Sequence, residues 1–120
     1  KTIMKKLLLV LLALPLIGFG QSDLKNSKEL IAEYSYSEYG DLPHIIFTDE
    51  NSEEWDFGYG ENDFGEFDFG QMEDFETNEK LVGKKFKIYW MNKKVETYAE
   101  DGETVIETEA PSVIKIELIK

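Results

Sequence analysis

The sequence contains no cysteine and no arginine, a single histidine and three prolines in 120 residues. Without cysteine there is no disulfide scaffold, no thiol nucleophile, no thiolate metal ligand and no cysteine to carry an N-terminal lipid. With 13 lysines against 25 acidic residues the formal charge is −12. That balance excludes nucleic acid as a partner, because phosphates are held by cationic side chains. No apolar run reaches the roughly 20 residues that span a bilayer.

What apolar run there is lies near the start. Lys5 and Lys6 precede Leu7–Ile17, interrupted only by Pro15, and Gly18-Phe19-Gly20 places small residues before Gln21. These are the three parts of a secretory signal peptide. The expectation is that residues 1–20 are removed between Gly20 and Gln21, with Met4 as the natural start and no membrane span left behind. The Gly-Phe-Gly-Gln ending resembles the export signals of flavobacteria-like Gram-negative bacteria. Ten lysines and all 25 acids remain in 21–120, a formal −15. A chain of that size forms one domain with a modest core and no deep enclosed cleft.

Residues 21–28 (QSDLKNSK) read as a flexible polar arm, and 29–120 as a single domain. In Ile31–Tyr39, Tyr34 and Tyr36 alternate with Glu33, Ser35 and Ser37, the period of a strand. A rival reading makes Ser27–Glu33 a short helix. His44–Thr48 is β-branched and apolar, with Pro43 at the first position of a strand. Glu53–Phe57 starts a third strand, and residues 58–79 hold short extended pieces and turns.

From Leu81 the alternation sharpens. Phe86, Ile88 and Trp90 fall on one face, and Lys85, Lys87 and Tyr89 on the other. Val95–Ala99 and Glu103–Thr108 flank Asp101-Gly102, a hairpin signal. Ala110-Pro111 breaks the run. Val113–Ile119 then places Ile114, Ile116 and Leu118 inward. The expected fold is all-β, a small barrel of five to six short antiparallel strands, with a long Gly/acidic-aromatic loop between the third and fourth.

Leu81–Trp90 (LVGKKFKIYW) and Val113–Ile119 (VIKIELI) resemble strands four and five of small exported OB-fold-like bacterial proteins, in which a Trp-Asp-Phe-Gly segment precedes a Gly-Lys-Lys-Phe-Lys block. The resemblance covers most of 30–119. It implies an OB-like barrel and no particular activity, since that fold hosts many functions.

The loop is the most unusual segment. Between Asp49 and Glu79 there are 13 acids and no lysine, and seven aromatics lie within Trp55–Phe75. Asp-Phe-Gly occurs three times, at 56–58, 63–65 and 68–70. A kinase reading fails without a Gly-rich phosphate loop or a catalytic His-Arg-Asp. Each triplet reads as a turn, with Phe inward and Asp facing water. A functional reading gathers Asp56, Glu61, Asp63, Glu66 and Asp68 around a hard divalent cation, Ca²⁺ above all, which takes six to eight oxygen ligands. Their spacing is not that of an EF-hand.

Lys80, Lys84, Lys85, Lys87, Lys93 and Lys94 are also segregated. They read as a partner patch, as pairing for the acidic block, or as charges protecting strand edges. Trp55, Tyr59 and Tyr89 are candidates for a carbohydrate- or peptide-stacking platform. His44 alone makes no triad, and no serine carries a nucleophile motif. The sequence therefore points to a small acidic exported module without catalytic function. Its expected partner is an envelope or extracellular protein or glycan. Ca²⁺ binding through 56–68 and carbohydrate or peptide binding through exposed aromatics are the alternatives.

Overall fold

A computed structural model describes residues 23–72 and 74–120. The export segment and its cleavage point lie outside the described residues. Five antiparallel strands form one open sheet: β1 (Lys28–Tyr39), β2 (Pro43–Asp49), β3 (Glu54–Asp56), β4 (Lys85–Tyr98) and β5 (Val105–Leu118). Their spatial order is β3-β2-β1-β4-β5. β1 is thus central, while β3 and β5 are the two edges. The all-β class is as expected; the barrel is not closed in this sheet.

The sheet has one covered and one open face. Ala32 and Tyr34 of β1, Ile45 and Phe47 of β2, Phe86 and Ile88 of β4, and Val113 and Ile116 of β5 are buried together. The irregular segment 57–84 covers them, adding Phe57, Phe64 and Phe69 to the same cluster, with Phe67, Phe75 and Leu81 against it. A segment with no described strand therefore supplies the second layer of the core. It does so through rings, which carry a large apolar area on few residues.

Several boundaries differ from those the sequence suggests. Residues 23–26 form a helical turn within the expected arm, closed by Ser27 N–H on the Leu24 carbonyl at 3.2 Å. Ser27–Glu33 is not a helix; β1 begins at Lys28. Tyr34 and Tyr36 do not share a face, because the β1–β2 register shifts between them. The extra residue turns Ser37 inward beside Tyr34 and leaves Tyr36 37% exposed. β4 runs unbroken from Lys85 to Tyr98, so the two strands expected at 81–90 and 95–99 are one. β5 likewise continues through Ala110-Pro111. Proline is tolerated there because an edge strand leaves one side's N–H groups without a ladder partner. A second irregularity, at Tyr89/Trp90, opposes Trp90 to Val113. Val113 is consequently buried where Ile114 was expected, and Ile114 is only partly covered.

Candidate functional site

The three Asp-Phe-Gly triplets share one hydrogen bond, although the glycine is at positive φ only at Gly65 and Gly70. Gly58, Gly65 and Gly70 each donate their N–H to the carboxylate of the aspartate two residues earlier, at 2.9, 2.9 and 2.8 Å. In each, the intervening Phe (57, 64 or 69) is buried. An aspartate that bonds the backbone two residues on replaces the turn's own hydrogen bond and lets the chain reverse around an inward ring. The triplet is thus a repeated anchor, and its aspartates serve the turns rather than simply facing water. Asp49 and Asp101 act alike. Asp49 accepts from the N–H of Asn51 and Glu53 and from Trp55 Nε1. Asp101 accepts from Glu103 N–H, Thr104 N–H and the Thr104 hydroxyl.

These bonds stabilise the charged carboxylate, so they lower its proton affinity. The Thr104 hydroxyl first, then two backbone N–H groups, hold Asp101 down at about 2; Trp55 first, then backbone N–H groups, hold Asp49 below its ordinary value. A depressed carboxylate adds stability that is complete above its unfolded value and lost as pH falls through its folded one. The wild type should therefore melt above Asp101→Asn at about pH 5, and that margin should shrink steadily between about pH 4 and pH 2. Paired melting curves over this range check it; a constant margin would mean that the charge on Asp101 does not matter.

Of the five candidate cation ligands, Asp56, Asp63 and Asp68 are engaged by turns, and Glu61 and Glu66 are exposed. Asp56 carries two further bonds, from Ile45 N–H at 3.1 Å and His44 Nδ1 at 2.5 Å. Among the described residues no three His, Asp or Glu side chains converge as a cation cage. His44 is half-buried, and Tyr59 meets its ring edge-on at 6.5 Å. On the open face Glu38 opposes His44, and Tyr36 opposes Ile46 two residues further along β2. Desolvation first, then the charges of Glu54, Glu38 and Asp56, raise the Tyr36 hydroxyl above its ordinary value.

The three candidate platform rings do not come together. Trp55 lies on the covered face, edge-on to Trp90 at 5.1 Å and stacked with Phe57 at 6.4 Å. Tyr59 sits in the loop beside His44. Tyr89 is on the open face, with Lys87 Nζ 5.3 Å and Lys115 Nζ 5.8 Å from its ring centre. Ser37 is buried and Ser35 bonds Thr48 Oγ1 at 2.6 Å, whereas Ser52 is exposed.

Among the described residues no lysine forms an ion pair with the acidic block. Lys87 reaches Glu29 of β1 at 3.7 Å, and in register Lys85 opposes Glu33 while Lys94 opposes Glu109. The Tyr89 side chain first, then Glu29, raise Lys87 above the usual lysine value.

The feature that sequence reasoning missed is the length of the β4–β5 hairpin. β1 accompanies β4 only from Lys85 to Trp90, and the hairpin runs on through Met91–Tyr98 and Val105–Ser112. Eight residues at about 3.3 Å each carry it roughly 26 Å past the start of β1. The signal present is that no glycine or proline interrupts 85–99 and Asp101-Gly102 closes it, whereas Ala110-Pro111 reads as a break. Near its tip Tyr98, Val105 and Ile106 are 67%, 56% and 42% exposed. No family model, no curated protein and no solved structure matches the chain.

Proposed function

We propose that this chain is a small exported interaction module without catalytic function, working in the periplasm or outside the cell, with the β4–β5 hairpin as its docking arm. The observation that carries the reading is the projection of that hairpin with Tyr98, Val105 and Ile106 in water. A two-stranded ribbon is marginal by itself in water, and these side chains add nothing to the core they have left behind. They do offer a ribbon with apolar tips and an unpaired edge, features that strand-adding partners use. The partner class is an envelope or extracellular protein or glycan.

Export rests on the N-terminal signal pattern. An OB-like ancestry is supported by a central β1 paired with both β2 and β4, and by the long connection between the third and fourth strands; joining β3 to β5 would close that barrel. The calcium and carbohydrate readings draw on Asp56, Asp63, Asp68 and Trp55, which turns and core packing already engage.

Photo-crosslinking in the producing cell tests the docking arm. A benzophenone side chain placed at Tyr98 or Ile106 should yield discrete crosslinked species, and one at Asp41, on the body, should not. Equal yields from arm and body would remove the arm from the reading.

A further inference from the structure

Met91–Tyr98 of β4 has β5 on one side, and among the described residues no strand lies against the other. Such an edge presents N–H and C=O groups that template another strand. If the added strand is the same segment of a second copy, a two-fold axis normal to the sheet relates them. That axis preserves faces, and directly opposed residues must share a face, so it passes through one residue that meets itself.

Centred on Val95, the pairing is complementary throughout. Lys94 opposes Glu96 of the second copy, and Glu96 opposes its Lys94. Lys93 meets Thr97, Asn92 meets Tyr98 and Met91 meets Ala99. Moving the axis by one residue sets Lys94 on Lys94 or Glu96 on Glu96, which is unfavourable.

The hairpin supplies a second argument. In its own ladder Glu96 lies directly opposite Glu107, a like-charge pair, whereas Lys94 opposes Glu109. With the second copy in place, the row on that face reads Glu107, Glu96, Lys94, Glu109, and Glu96 gains a cation. The outer edge of β5 fails the same test. Axes at Ile106, Glu107, Thr108 or Glu109 each place glutamate on glutamate, and Pro111 has no N–H to donate.

We propose that two copies of this chain dimerise by antiparallel pairing of their β4 edges about Val95, joining the two sheets into one. This rests on the hairpin being the interaction element and names its partner. Sedimentation velocity on the purified protein tests it. The wild type should be dimeric at about 100 µM, and a monomer at that concentration overturns the proposal.

Glu96→Lys is the informative variant, since it sets lysine on lysine across the axis while removing the Glu96–Glu107 clash within the hairpin. It should melt no lower than wild type yet dimerise about tenfold more weakly. Lys94→Glu should also be weakened. An equimolar mixture of the two variants should recover the dimer, because each copy then presents the charge the other needs. Unchanged association of Glu96→Lys, or no recovery on mixing, overturns the register. A monomer whose Tyr98 position still crosslinks to another protein would overturn the dimer and leave the docking arm standing; a monomer without crosslinks would remove both.

Discussion

Phe69→Ala should cost about 3–5 kcal/mol, the range for removing a fully buried aromatic ring. Phe69 is 0% exposed, and its ring centre lies 4.9 Å from Tyr34, 5.1 Å from Phe47, 5.0 Å from Phe64, 6.2 Å from Phe67 and 5.3 Å from Phe86. It joins strands β1, β2 and β4 to the covering segment, so its loss opens a cavity bordered by both layers.

The backbone at this point is fixed as well. Ser37 Oγ donates to the Phe69 carbonyl at 2.5 Å, which leaves the Tyr34 hydroxyl to donate to Ser37 Oγ at 2.6 Å. Thr77 Oγ1 accepts from Ser37 N–H and donates to the Ser37 carbonyl, both at 2.9 Å. Buried polar groups satisfied in this way hold their surroundings rigidly, so the site cannot collapse to fill the space. Phe75 is the comparison: it is half-buried at the rim, 5.7 Å from Tyr39. Its replacement by Ala should cost well under half as much. Urea unfolding monitored by tryptophan fluorescence gives both values. Equal losses would mean that 57–84 does not dock as a layer.

The strands were legible where the sequence alternates cleanly. Phe86, Ile88 and Trp90 against Lys87 and Tyr89 define β4, and HIIFT after Pro43 defines β2. Alternation fails at a bulge, because one inserted residue swaps the faces of all that follow. That is why period-two alternation puts Tyr36 on the face of Tyr34, and Ile114 inward in place of Val113, where the bulges do otherwise. A proline reads as a stop when it lies on an edge strand, which hid the length of β5. The candidate site was harder to read. Carboxylates in an acidic loop suggest an ion when only their number is visible. Their role as turn acceptors follows from the position of one backbone N–H each, and composition carries no trace of that. What the sequence did carry was the Asp-Phe-Gly repeat, and the same aspartate–glycine hydrogen bond recurs in all three copies.

The second large effect is expected from adding a single methyl group. A Cβ built at Gly58 would lie 2.2 Å from the Pro43 carbonyl oxygen and 2.5 Å from His44 Cα; at Gly60 it would lie 2.1 Å from the Pro111 carbonyl oxygen. The obstructing atoms are backbone, so no rotamer change can relieve them. Both glycines mark where the covering segment leaves β3 and crosses the sheet. Gly58 passes against the start of β2, and Gly60 passes against β5, where Glu61 N–H bonds Ser112 Oγ and Asp63 N–H bonds the Val113 carbonyl, both at 2.8 Å. Lifting either crossing pulls Phe57 and Phe64 outward with it, so strain at one methyl becomes loss of core. Gly58→Ala and Gly60→Ala should each cost about 3 kcal/mol or more, at or beyond the top of the usual overpacking range. Gly40→Ala is the control, since it meets nothing within 4 Å and its φ is not in the left-handed region. There the methyl restricts the unfolded chain, and stability should rise by about 0.4–1 kcal/mol. Thermal and urea unfolding of the three variants should thus separate two strongly destabilised proteins from one slightly stabilised one. Comparable, small changes in all three would mean that the covering segment does not cross the sheet in contact at Pro43 and Pro111.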